Sequence, residues 1–188
     1  MSRKKITHFF DETIIREYDI RGIYEKTLFD LDAKILGNLF GLKLGKGESI
    51  NIAYDGRISS NNLKENLIKG FLEVGVNVNE IGLGPTPMLY YSCVAMNVSS
   101  GIIVTGSHNP KNHNGFKVVY NNLPFFADDL QKLKEEAKGF VFTKTNAKRK
   151  NIDVKKRYLS RLLKSFIQKK DLNIVWDAGN GSAGEIMK

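Results

Sequence analysis

Cysteine is almost missing from the 188 residues, with Cys93 the single example. An intramolecular disulfide is therefore excluded, and a reducing compartment fits. The neighbours Val94, Ala95 and Met96 mark that thiol as buried and inert rather than nucleophilic. Long apolar runs are also lacking. No stretch approaches the ~20 apolar residues of a membrane span, and the start MSRKKITHFFDE has no apolar core of a secretion signal. The expectation is a cytoplasmic protein with no membrane partner.

Charge is unevenly spread along the chain. Residues 1–140 carry 17 Lys and Arg against 16 Asp and Glu, whereas 141–188 carry 12 against 4, so +8 of the net charge of +9 belongs to the tail. A basic tail attracts phosphate-rich partners by simple electrostatics. Here, however, Val154, Tyr158, Leu159, Leu162, Leu163, Phe166 and Ile167 recur between the basic residues at helical spacing. That pattern predicts an amphipathic helix over about 153–168 with a solvated basic face. Aromatic residues are not interleaved with the charges as base stacking requires, so nucleic acid is not an expected partner.

What is present is ordinary globular composition, 41% hydrophobic and 26% charged, enough for one core and part of another. Strands are predicted at 50–54 (INIAY), 76–81 (VNVNEI), 101–105 (GIIVT), 116–120 (FKVVY) and 173–178 (NIVWDA). Helical patterns lie between most of them. Leu31, Ile35, Leu39 and Leu42 line one face of the first; Leu63, Leu67, Phe71 and Leu72 line the second, capped by Ser60 or Asn61 and stopped by Gly75. A third runs from about Thr86 to Asn97 with Pro87 in its first turn, and a fourth starts near Ala127, Asp128 and Asp129. The alternation predicts a three-layer α/β/α domain with a mainly parallel mixed sheet, in which FKVVY is the antiparallel exception. The polar, basic stretch 143–151 reads as a linker to the start of a second, similar unit.

Several short motifs carry chemistry. VTGSHNPKNHNGFKVV at 104–119 brings a strand to a glycine, exposes Ser107 and His108, and returns through an Asn114-Gly115 turn towards Lys117. Serine alone is a poor nucleophile and needs a base, a metal or an activated phosphoryl partner. Read by itself, this stretch is a polar functional loop or simply a turn. YDIRG at 18–22, YDGRISS at 54–60 and GLGPTPMLYYS at 82–92 add Arg21, Asp55, Arg57 and two helix starts. Guanidinium groups and helix N-termini both suit phosphate oxygens. Arg57 also has a simpler reading, as a partner of Asp55. Gly179, Gly181 and Gly184 form G-x-G-x-x-G after the strand predicted at 173–178. With no acidic residue some 20 positions on, that motif reads as a glycine-rich strand-to-helix turn rather than a dinucleotide site.

Taken together, YDIRG, DGR, GLGPTPMLYY, TGSHNP followed by NGFK, and DAGNGSAG stand in the order in which the sequence resembles the α-D-phosphohexomutase family, and its bacterial phosphomannomutase/phosphoglucomutase branch in particular. The resemblance covers essentially the whole chain, and TGSHNP with NGFK is its most specific part. One departure is Tyr54, where many members have an arginine before DGR.

The resemblance implies that 1–145 is the family's first domain and 146–188 a linker with the incomplete start of the second. It implies that Ser107 carries a phosphoryl group, delivers it to a hexose phosphate and recovers one from the other end of the bisphosphate intermediate. His108 and Lys117 fall on positions that transfer protons or polarise reacting groups, and Arg21 on one that stabilises the transferring phosphate. Asn109 supports the loop, and Tyr18 approaches substrate.

The implied cofactors are Mg2+, bound in part by the phosphate on Ser107, and a hexose 1,6-bisphosphate activator. Family members hold the metal in a DGDGDR-type loop and have sugar-selecting and phosphate-binding loops further on, none of which occurs here. The expectation is therefore a chain inactive alone, with phosphosugar substrate and a separate polypeptide supplying domains two to four as partners. A non-catalytic phosphosugar- or protein-binding remnant is the alternative.

Overall fold

The computed structural model of the chain describes residues 3–166 and 173–188. Its strands are β1 (Arg3–Ile6), β2 (Ile20–Ile23), β3 (Ser49–Tyr54), β4 (Asn77–Leu83), β5 (Gly101–Val104), β6 (His113–Tyr120), β7 (Leu123–Pro124), β8 (Phe140–Thr143) and β9 (Arg149–Asn151). The helices are α1 (Asp30–Leu44), α2 (Ser60–Val74), α3 (Thr86–Ala95), α4 (Asp128–Ala137), α5 (Lys155–Leu163) and α6 (Gly184–Met187). One mixed sheet has the order β2-β6-β5-β3-β4-β9, with β7 folded back on β6; β1 and β8 form a separate antiparallel pair. Strands β5, β3, β4 and β9 run parallel, and β6 is antiparallel to both β5 and β2. The antiparallel placement expected for FKVVY is thus observed.

Successive residues of a strand point to opposite faces, and here both faces are covered. Ile52, Ile102 and Val104 face a core completed by Ile35, Leu36, Phe40, Leu67 and Phe71 of α1 and α2. Ala53 and Ile103, one residue along, face a second cluster with Met88 and Leu89 of α3 and Val154 and Tyr158 from the tail. The result is the three-layer α/β/α arrangement.

Helices α1 and α2 approach until backbones touch. A Cβ on Gly37 would lie 2.2 Å from Leu67 O, and one on Gly70 would lie 2.2 Å from Lys34 O. This close crossing turns α1 slightly: Ile35, Leu36, Leu39 and Phe40 are buried, while Leu31 and Leu42, expected on the same face, are exposed. The N-terminal arm is pinned at the start of α1. There the Asp32 carboxylate accepts the Phe29 amide at 2.7 Å and meets His8 Nε2 at 2.7 Å.

Four expectations are corrected. Ser60 does not cap α2; its hydroxyl donates to Asp55 Oδ1 at 2.5 Å, and Ser59 occupies the N-cap position without a capping bond. The stretch 143–151 is not all linker, because Arg149–Asn151 joins the sheet beside β4. Nothing apolar marks that strand; it is held by ladder bonds and by Arg149, which pairs with Glu65 at 2.7 Å and with Glu80. Further, 173–178 is not a strand but irregular chain, with Ile174, Val175 and Trp176 exposed. A strand needs a neighbouring edge for its amides and carbonyls, and none pairs with it among the described residues. The amphipathic tail helix is shorter than its pattern, at Lys155–Leu163; Val154 and Tyr158 are buried, Leu162, Leu163 and Phe166 are exposed, and Ile167 lies outside the described residues.

Candidate active site

Strands β3 and β5 are parallel neighbours, so their C-terminal ends open at the same edge of the sheet. Ligands gather at that edge in α/β sheets of this type. Beyond β5 the chain turns sharply: Ser107 takes φ +53, a left-handed conformation that a serine rarely adopts and that lifts its side chain into solvent. Strain of this kind persists only where surrounding bonds hold it.

Those bonds come from two arginines and an aspartate. Asp55, just past β3, accepts the Gly106 amide at 3.0 Å and the Thr105 hydroxyl at 2.9 Å on one oxygen, and Thr105 Oγ1 in turn accepts the Ser107 amide at 2.9 Å. Arg57 donates to loop carbonyls at Ser107, Asn109, Pro110 and His113. From beneath, the buried Arg21 on β2 donates through Nη1 to Gly106 O at 2.7 Å and pairs with Asp19. Its Nε is buried without a partner.

The loop borders a cleft of about 1050 Å³ lined by Arg57, Ser59, Thr86, Ser107, Asn109 and Lys111, with Gly179–Ser182 among its further lining residues. The first residues of α2 and α3 reach this space. Helix N-termini direct unpaired amides and a partial positive charge outwards, which favours anions. The arrangement suits a phosphate group beside the Ser107 hydroxyl.

The sequence-derived candidates divide. Ser107 and Asn109 line the cleft, and Asn109 Nδ2 donates to Gly106 O at 3.2 Å, a loop-supporting contact. His108 is exposed, its Nδ1 3.4 Å from Ser107 Oγ, a long contact in which the tautomer sets the donor. Arg21 sits beneath the loop. Lys117 is half-buried on β6 opposite Ile103 and is not part of the cleft lining. Tyr18 is exposed, stacked 6.3 Å from Phe126, and also lies outside the lining.

The Asn114-Gly115 pair is not a turn. Both residues are inside β6, opposite Gly22 and Arg21. Gly115 is there because β2 passes so close that a Cβ would lie 1.9 Å from Ile20 O. Asn114 is buried and donates to Ser59 and Ser60 at 2.8 and 2.9 Å, tying β6 to the start of α2. Sequence reasoning missed Asp55 and Thr105 as the base of the loop; the only available signal was the position of DGR directly after a predicted strand.

Magnesium needs several oxygen ligands in near-octahedral geometry. The carboxylates built into the loop's base, Asp19 and Asp55, are already bound to Arg21 and Arg57. No three His, Cys, Asp or Glu side chains converge among the described residues. These residues do not form a magnesium site by themselves, and no chemical step is assigned to one. No helix among the described residues is long and apolar enough to cross a membrane.

Residues 12–142 match the family described as phosphoglucomutase/phosphomannomutase, alpha/beta/alpha domain I. A phosphomannomutase/phosphoglucomutase of Pseudomonas putida is 37% identical over 177 residues, covering 93% of this chain and 38% of that protein. A phosphoglucomutase of Neisseria meningitidis serogroup B is 36% identical over 175 residues, with 91% and 38% covered. The crystal structure of a phosphoglucomutase/phosphomannomutase family protein from Burkholderia thailandensis superposes with a TM-score of 0.85 at 33% identity, covering 95% of this chain and 41% of that one. The chain spans about two fifths of the length of the relatives it matches.

Proposed function

The chain belongs to the phosphoglucomutase/phosphomannomutase family, whose α/β/α domain I it contains at residues 12–142, and we propose that Ser107 is its phosphoryl carrier in the interconversion of hexose 1-phosphates and 6-phosphates. The observation that carries this reading is the Ser107 loop itself. A hydroxyl is held at φ +53 at the mouth of a cleft that also receives the starts of two helices.

In the forward half-reaction the P–O bond to Ser107 Oγ breaks as a sugar hydroxyl oxygen bonds to phosphorus, and the hydroxyl proton passes to a base. The serine oxygen takes the bond electrons and recovers a phosphoryl group from the other end of the bisphosphate in the reverse sense. Such transfers depend on alignment and charge neutralisation rather than on further covalent chemistry. His108 and Lys117 are the proton-handling candidates, with His108 already against Ser107 Oγ. Arg21 adds positive charge from beneath the loop, Asn109 braces it, and Tyr18 is offered to the sugar.

The substrates are glucose and mannose phosphates, and hexose 1,6-bisphosphate primes the serine. Polypeptide corresponding to the remaining three fifths of the relatives supplies the sugar clamp and metal ligands. The test is a mutase assay with glucose 1-phosphate, using this chain together with the complementary part of a relative. Turnover that disappears with Ser107→Ala supports the reading. Turnover that survives the substitution overturns it.

A further inference from the structure

We infer that Arg57 is the positioning residue of the Ser107 loop and not a phosphate ligand; this rests on the reading of Ser107 as the carrier. A guanidinium has five N–H bonds, and here all five are used within the chain. Nε donates to Asp55 Oδ2 at 3.3 Å, Nη1 to the carbonyls of Pro110 and His113 at 2.6 and 2.9 Å, and Nη2 to those of Ser107 and Asn109 at 3.0 and 2.6 Å. No N–H remains for a substrate oxygen.

Four carbonyls of the stretch 107–113 therefore converge on one planar cation. Gathered without it, their negative ends would repel, and the loop would open. A peptide unit places its N–H opposite its C=O, so turning the Ser107 carbonyl inwards turns the His108 amide away from Arg57. The ion thus fixes the backbone from the left-handed Ser107 onwards, while Asp55 and Arg21 hold Gly106 before it.

Gly106 completes the device. A Cβ there would lie 2.2 Å from Arg57 Cζ, so the glycine of TGSHNP is needed for the guanidinium to pack against the chain. Gly106 is not among the positive-φ glycines, which excludes backbone freedom as the reason. Lysine cannot replace Arg57, because three donors on a compact ammonium do not reproduce a flat five-donor fork.

The test compares 15N-labelled wild-type chain with Arg57→Ala, Arg57→Lys and Gly106→Ala. In Arg57→Ala the amide signals of 105–113 are expected to move while those of α1, β1 and β8 stay in place. Added guanidinium ion returns them in Arg57→Ala but not in Arg57→Lys, whose side chain fills the space. Gly106→Ala, which keeps the arginine, moves the same signals.

In parallel, with the complementary part of a relative and Mg2+ present, phosphate transfer from glucose 1,6-bisphosphate to Ser107 falls about a hundredfold in Arg57→Ala, the scale of a ~1 Å misplacement, and recovers with guanidinium ion. Loop signals at wild-type positions in Arg57→Ala, or shifts spread through the whole sheet, overturn the inference, as does an unchanged transfer rate. If wild-type Ser107 accepts no phosphate, the carrier reading fails, and the loop signals alone decide the positioning role.

Discussion

Arg21 Nη1 stands 2.7 Å from the carbonyl oxygen of Gly106, across 85 residues of sequence, and joins the second strand of the fold to the turn that presents Ser107. The same guanidinium pairs with Asp19 and is only 3% exposed. The loop is therefore held from the sheet side as well as from the solvent side.

Removing that contact is expected to affect both stability and the loop. Arg21→Ala leaves Asp19 and the Gly106 carbonyl without their buried partner, a loss of about 2–3 kcal/mol. Urea unfolding should show a lower midpoint with unchanged slope. Arg21→Lys should recover part of the stability without restoring the two-pronged contact.

The crossing of α1 and α2 gives a second prediction. Gly70→Ala places a methyl group 2.2 Å from Lys34 O, against backbone that cannot rotate away, and overpacking of this kind costs about 1–3 kcal/mol. Gly139→Ala, where nothing lies within 4 Å of the added carbon, should be neutral within about 0.5 kcal/mol. Thermal unfolding of the two variants separates packing from composition.

Acid should loosen the edge strand. The Arg149 guanidinium, with Lys64 assisting, holds the Glu65 carboxyl down at about 2 from its ordinary 4.5. A depressed carboxyl pKa gives stability that is present above pH 4.5 and is lost as pH falls towards 2. Because Glu65 is about one third exposed, solvent screening keeps the contribution below ~1 kcal/mol. Amide exchange at Arg149–Asn151, corrected for intrinsic rates, should accelerate between pH 4.5 and 2.5, and Glu65→Gln should abolish the Glu65 part of that dependence.

Cys93 should resist thiol reagents. Burial pushes its thiol up to about 11, so little thiolate exists at pH 8, and the sulfur sits beneath α3 with 3% exposure. Labelling is expected to be slow in the native chain and complete on unfolding. Fast labelling of the native chain contradicts that packing.

The sequence disclosed most of the layered fold because β3, β4, β5 and β6 are short β-branched runs separated by helical periodicities, and both periods are local properties. It did not disclose β2, whose Ile20–Ile23 is set by pairing with Gly115 and its neighbours on β6, nor β9, whose three polar residues hold to the sheet through ladder bonds and the ion pairs of Arg149. The strand expected at 173–178 has the composition but lacks a partner edge, and composition alone does not make a strand.

At the site, TGSHNP and YDIRG disclosed Ser107 and Arg21 through resemblance. The pairing of Arg57 with Asp55 was legible, but its work on the loop stayed hidden because its other four partners are main-chain carbonyls, which carry no residue identity. Lys117 and Tyr18 share the family's motifs, yet neither lines the cleft.

The most direct measurement is phosphopeptide mapping of the chain, combined with the complementary part of a relative, before and after exposure to glucose 1,6-bisphosphate and Mg2+. The account predicts phosphate on Ser107, present at isolation or acquired on exposure, and absent from Ser107→Ala. An unmodified Ser107 under both conditions, or phosphate placed on Ser59, Ser60 or Thr105 instead, would contradict it.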